Sequence, residues 1–121
     1  MARILFIDDD PLTLETLRRS AEIFGHEAVL ASSGEQALIM ISEAPPDLIM
    51  TDMMLPDTDG LSLVKDLKRN PSAADIPVVM LSASPEIDAS QLALEAGVEE
   101  FLPKPIRLQT LQDVIERYTG D

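Results

Sequence analysis

Short runs of consecutive apolar residues alternate along this chain with longer stretches in which apolar positions recur every three or four residues. The runs are Ile4-Leu5-Phe6-Ile7, Ala28-Val29-Leu30-Ala31, Leu48-Ile49-Met50, Val78-Val79-Met80-Leu81 and Phe101-Leu102. They predict five strands, and the first and fourth, apolar throughout, are of the kind buried on both faces of a parallel sheet. The stretches between them predict helices with marked ends. The first starts at Pro11, carries a stripe of Leu14, Leu17, Ala21 and Phe24, and stops at Gly25. The second begins at Ser33 with Gln36 three residues on, a capping-box pattern, then runs through Ala37, Leu38, Met40 and Ile41 until Pro45-Pro46 forbids continuation. A third follows Gly60 through Leu61, Val64 and Leu67 to the Asn70-Pro71 turn. Ser84-Pro85-Glu86 introduces a fourth, which closes at Gly97 and has only a thin stripe of Ile87, Leu94 and scattered alanines, so it is weakly anchored and easily shifted. The last carries Leu108, Leu111, Val114, Ile115 and Tyr118 and ends near Gly120.

Five β-then-α units with right-handed crossovers predict an α/β fold: a single doubly wound (βα)5 domain over residues 1–121, with helices on both faces of a parallel five-stranded sheet. In such folds ligands bind outside the carboxyl ends of the strands, so function is to be sought where strands end. With 121 residues the chain has the size of one domain.

Composition narrows the chemistry. No apolar run is long enough to span a bilayer, and Met-Ala-Arg leads straight into the first strand without a signal segment, which places the expected compartment in the cytoplasm. Cysteine is absent and histidine occurs once, which removes disulfides, thiolate metal sites and most histidine-based schemes. A formal charge of −13 repels a phosphate backbone, so direct nucleic-acid binding is not expected. Any chemistry falls to carboxylates.

The residues just past the strands are Asp8-Asp9-Asp10, Asp52, Ser82 and Lys104, and the fold brings them to one rim. Clustered carboxylates repel unless a cation neutralises them, and all-oxygen ligation suits Mg²⁺ better than zinc. One carboxylate can then attack a phosphoryl donor while the metal ion, an ammonium and a hydroxyl neutralise charge on the transferring group; Asp52, Lys104 and Ser82 fit those parts.

Blander readings compete. The aspartate triplet could be helix-start acids beside the positive end of the first helix, and Asp10 is assigned to the cap. Asp57-Thr58-Asp59-Gly60 resembles part of a calcium loop but lacks the glutamate six residues past the glycine, so it is read as a polar turn with its glycine at a special backbone angle. His26 has no companion histidine and is read as solvated or helix-end. Most of the methionines are read as core filler, with Met53 and Met54 placed to shield a product at Asp52. Glu43 and Glu99-Glu100 are read as solvated surface.

Ile7-Asp8-Asp9-Asp10-Pro11, the segment from Asp47 through Asp52 to Gly60, Leu81-Ser82-Ala83 and Phe101-Leu102-Pro103-Lys104-Pro105 together resemble the bacterial response-regulator receiver domain over nearly the whole chain. That resemblance implies the flavodoxin-like strand order 2-1-3-4-5. It makes Asp52 the phosphoacceptor, Asp8 and Asp9 the acidic pair serving Mg²⁺ (Asp9 directly, Asp8 largely through water), and the backbone carbonyl of Met54 a further ligand. Lys104 would contact the phosphoryl group, and Ser82 would swing to bond one of its oxygens. Phe101 takes the aromatic switch position where tyrosine is common, without the hydroxyl. A cis bond between Lys104 and Pro105 is also implied.

The implied partners are a sensor histidine kinase or histidine phosphotransfer protein upstream and a protein or output domain downstream, through the face of helix four, strand five and helix five. The domain would be a monomer or a phosphorylation-dependent dimer, without nucleic-acid or membrane contact, and a substrate with catalytic parts rather than an enzyme. Two rivals remain: a flavodoxin-like electron carrier, disfavoured because three aspartates stand where a flavin phosphate would need a hydroxyl- and glycine-rich loop, and a receiver that binds partners without being phosphorylated.

Overall fold

Five parallel strands in the order β2-β1-β3-β4-β5 form the sheet of the protein, seen in a computed structural model that describes residues 1–83 and 87–121, with side chains at 87–90 also outside the description. The strands are β1 (Arg3–Ile7), β2 (Glu27–Ala31), β3 (Leu48–Asp52), β4 (Val78–Ser82) and β5 (Glu100–Pro103). The helices are α1 (Pro11–Ile23), α2 (Gly34–Glu43), α3 (Gly60–Arg69), α4 (Ile87–Ala96) and α5 (Leu108–Thr119). The proposed Ser84-Pro85-Glu86 cap and the side chain of Ile87 lie outside the described residues.

Strand periodicity divides the core into two layers. Leu5, Ile7, Ile49, Val78 and Met80 face one side, where Ala37 and Ile41 of α2 and Leu63, Val64 and Leu67 of α3 cover them. Ile4, Phe6, Leu48, Met50, Val79 and Leu81 face the other, against Leu14, Leu17 and Ala21 of α1 and Leu111, Val114 and Ile115 of α5. Each of these large side chains contributes roughly 1.5–3 kcal/mol by leaving water, and this two-sided burial explains why the strands lack polar alternation.

Several sequence expectations need correction in detail. Leu38, Leu94 and Leu108 were assigned to buried stripes but are exposed, whereas Leu63, which was missed, is buried. Among the described side chains of α4, Ala93 is buried while Leu92 and Leu94 are exposed. Ser33 caps α2 by accepting from Gln36 N at 3.1 Å, but the glutamine returns to Ser32 N at 2.7 Å rather than to the cap itself. His26 is not solvated: it is 5% exposed, accepts from Ala2 N at 3.2 Å through Nδ1, and places Nε2 3.3 Å from Gln112 Oε1. Glu99 and Glu100 are not idle surface either. Glu99 Oε2 accepts from Val78 N at 2.6 Å, and Glu100 accepts from the Tyr118 hydroxyl at 2.7 Å and pairs with Arg117.

Gly60 has no positive φ, contrary to the turn reading. It is required for space: a Cβ there would stand 2.6 Å from the carbonyl oxygen of Asp52 and 3.0 Å from Met80 Cε. Asp59, just before it, caps α3 by accepting from Ser62 N at 2.7 Å. No helix among the described residues is long and apolar enough to cross a membrane.

Candidate functional site

Hydrogen bonds that continue the ladders past the strand ends align the residues of the rim. Asp8 N donates to Ala31 O at 3.1 Å, Met53 N to Leu81 O at 3.2 Å and Lys104 N to Ser82 O at 2.8 Å. Asp52 is the last residue of β3 and pairs with Leu81; Ser82, the last of β4, pairs with Pro103. The topology thus carries residues from four separate segments to the carboxyl end of the central strands, where the fold class predicts chemistry.

Ligand oxygens of Asp8, Asp9 and Asp52 come within 4.8 Å of one another. Lys104 Nζ donates to Asp8 Oδ2 at 2.5 Å and stands 3.3 Å from Asp52 Oδ2. Burial works against the Lys104 ammonium, but the hydrogen bond to Asp8 and the charges of Asp52 and Asp8 outweigh it and hold its pKa above the usual lysine range. The lysine therefore stays charged at neutral pH, and three carboxylates against one ammonium leave two negative charges. Hard oxygen donors with that residual charge fit a divalent ion such as Mg²⁺.

The three aspartates of the triplet part company. Asp8 is 2% exposed and uses both oxygens, Oδ1 accepting from Asp10 N at 2.9 Å and Oδ2 from Lys104. Asp9 is exposed beside it. Asp10 stands outside the cluster and caps α1, accepting from Leu12 N at 3.2 Å and the Thr13 hydroxyl at 2.7 Å, bonds that lower its pKa. Asp52 accepts from Met53 N at 2.7 Å through Oδ1, which leaves Oδ2 toward Lys104.

The other residues singled out from sequence surround this group. Ser82 is buried at the rim. Met54 is two-thirds exposed and forms a bridge with Asp59 across the β3–α3 loop. Phe101 is half-buried on β5, opposite Met80, and packs against the core layer that includes α3 and α4. The Lys104–Pro105 bond is cis. Beside Lys104 a cleft of about 410 Å³ opens between α1 and the β5–α5 connection, bounded by Asp10, Thr13, Leu17 and Ile106; nothing in the apolar periodicity pointed to it.

This arrangement agrees with what the chain is similar to. The model of the response regulator receiver domain matches residues 4–116, and the chain belongs to that family. It is 37% identical over 109 residues to the response regulator MprA of Mycolicibacterium vanbaalenii, an alignment covering 90% of this chain and 46% of that protein. Under half the length of such curated relatives is therefore represented. Among solved structures, a response regulator receiver domain protein from Clostridium thermocellum superposes with a TM-score of 0.90 at 30% identity, covering 99% of this chain and 95% of the other. The chemotaxis protein CheY4 of Vibrio cholerae gives 0.92 at 25% identity and 98% coverage of both chains. The protein is thus a receiver domain of the two-component response-regulator family, a signalling module with the flavodoxin-like sheet order.

Proposed function

We propose that Asp52 accepts a phosphoryl group from a phosphohistidine, on a sensor histidine kinase or histidine phosphotransfer protein, in a Mg²⁺-dependent reaction. The observation that carries this reading is the convergence of Asp8, Asp9 and Asp52 within 4.8 Å, with the Lys104 ammonium paired to Asp8 and Asp52. An oxygen of Asp52 forms the new bond to phosphorus as the phosphorus–nitrogen bond breaks and the imidazole leaves. Asp9, Asp52 and the Met54 carbonyl would hold Mg²⁺, with Asp8 acting through water. The bound ion would neutralise charge on the phosphoryl oxygens. Lys104, already charged and anchored by Asp8, stabilises the same oxygens from the other side, and Ser82 donates its hydroxyl to one of them.

The new charge biases the fold. Ser82 moves toward the phosphoryl group, Phe101 takes the space it leaves, and the face of α4, β5 and α5 changes shape for a downstream protein or output domain. The exposure of Leu92 and Leu94 beside the small buried Ala93, among the described side chains of α4, supports such a shift at modest cost. The domain assists its own phosphorylation and dephosphorylation without being an enzyme in the usual sense. It acts in the cytoplasm as a monomer or a phosphorylation-dependent dimer.

Incubation with a small acyl phosphate, followed by intact mass with and without Mg²⁺, tests the reading. A single phosphoryl adduct that requires Mg²⁺ and vanishes in Asp52→Asn is the expected result. Absence of an adduct under every condition would leave a phosphorylation-independent binding module instead.

A further inference from the structure

The loop that joins the phosphoacceptor strand to α3 is tied to a helix distant in sequence. Asp57 Oδ1 accepts from Gly34 N at 2.9 Å and Oδ2 from Glu35 N at 2.8 Å, the first two amides of α2. Ser33 already serves the next two, its Oγ accepting from Gln36 N and its carbonyl from Ala37 N, so Asp57 completes the first turn of α2 from another segment. The approach is close. A Cβ on Gly34 would stand 2.6 Å from Thr58 Cγ2, so a larger residue there must turn the Thr58 methyl aside or push the loop away.

The same loop is closed on itself. Gly60 N donates to Met53 O at 2.6 Å and Leu55 N to Thr58 O at 3.0 Å, while Leu55 is buried beneath it. Met54 therefore sits between Asp52 and a segment held at three places: the end of β3, the Gly60 closure and the bidentate grip of Asp57 on α2. The two α2 amides also hold the Asp57 pKa below the usual aspartate value, Gly34 contributing most, so the grip is ionic at neutral pH.

We infer that Asp57 is a positioning residue for the cation site: its latch onto α2 sets the β3–α3 loop and thereby the Met54 carbonyl beside Asp52. The inference rests on the reading of Asp9, Asp52 and the Met54 carbonyl as Mg²⁺ ligands. A mere helix cap would cost stability when lost and leave Mg²⁺ affinity alone. A positioning residue weakens the affinity even where the fold is intact, as partners of metal ligands generally do.

Titration of Mg²⁺ alone by calorimetry into the wild type, Asp57→Ala and Gly34→Ala, with circular dichroism as the check on folding, separates these roles. Asp57→Ala removes the latch and one nearby negative charge. Gly34→Ala keeps the charge but crowds the latch at Thr58. Both variants are expected to bind Mg²⁺ on the order of tenfold more weakly. Faster amide exchange at Glu35, which reports an opened latch, should accompany the loss in both. Wild-type affinity in both folded variants would reduce Asp57 to a cap, and weakening in Asp57→Ala alone, with Glu35 exchange fast in both, would make its charge, not its grip, responsible. If Asp57→Ala fails to fold, Gly34→Ala decides. A wild type that binds no Mg²⁺ overturns the metal-site reading and the inference with it, a result distinct from the others.

Discussion

Lys104 Nζ stands 2.5 Å from Asp8 Oδ2 and 3.3 Å from Asp52 Oδ2, so one ammonium joins the carboxylates at the ends of β1 and β3. Its removal in Lys104→Ala has opposite consequences for stability and for cation binding. Buried Asp8 loses its charged partner, and the fold in chelator should weaken by about 1–3 kcal/mol. Mg²⁺ should bind the variant more tightly, because the cluster has one positive charge fewer. Acylphosphate transfer should nonetheless slow by roughly a hundredfold, the usual scale for removing a group that stabilises transition-state charge. Thermal melts, Mg²⁺ titration and adduct formation measured on one preparation check all three.

Asp9 is the exposed member of the carboxylate cluster and has no role in anchoring Lys104. Asp9→Asn should relieve repulsion and leave the metal-free fold as stable as the wild type or more so, by under about 1 kcal/mol. Mg²⁺ affinity should fall by tenfold or more. A clear loss of stability in chelator would show that Asp9 is structural.

Gly60→Ala tests how closely the start of α3 approaches the phosphoacceptor. Backbone, not a flexible side chain, stands 2.6 Å from the added methyl, so the Asp52 carbonyl or the helix start must move. A cost of about 1–3 kcal/mol is expected from such overpacking. Amide chemical-shift changes should concentrate at Asp52–Met54, and phosphorylation should slow beyond what the stability loss explains.

The strands and the rim were legible because both follow from local pattern. Apolar runs without alternation declare strands covered on two faces, and once five βα units are recognised, the residues after the strands must converge. Asp8, Asp9, Asp52 and Lys104 meet for that reason. Asp10 was separable because a cap is read from its neighbours alone. Partners far apart in sequence left no such trace. His26 was read as solvated or helix-end because its acceptor role toward Ala2 arises only when β1 and β2 pair, and its contact with Gln112 only when α5 docks. Glu99 and Asp57 likewise serve backbone amides 21 to 23 residues away. Gly60 was recognised as necessary for the wrong reason, since a crowded glycine and one with positive φ look alike in sequence. The Asp59 cap, by contrast, could have been read from Asp59 and Ser62.

Acid should loosen α3 first at its cap. Hydrogen bonding from Ser62 N holds the Asp59 pKa below its ordinary value of about 3.9. A depressed folded-state pKa gives stability that is fully present above the unfolded value and is lost as pH falls through the folded one. Asp59→Ala should therefore cost about 1 kcal/mol at pH 7 and progressively less below pH 4. Chemical denaturation at pH 7 and pH 3 measures the difference, and an equal cost at both pH values would contradict it.

The central claim concerns one atom's chemistry, so the deciding measurement is the location of the phosphoryl group. The Mg²⁺-dependent adduct should be trapped by borohydride reduction, which converts an aspartyl phosphate to homoserine, and the digested protein mapped by mass spectrometry. The account predicts homoserine at Asp52 and at no other aspartate. Homoserine at Asp8 or Asp9, or an adduct that resists reduction, would contradict it.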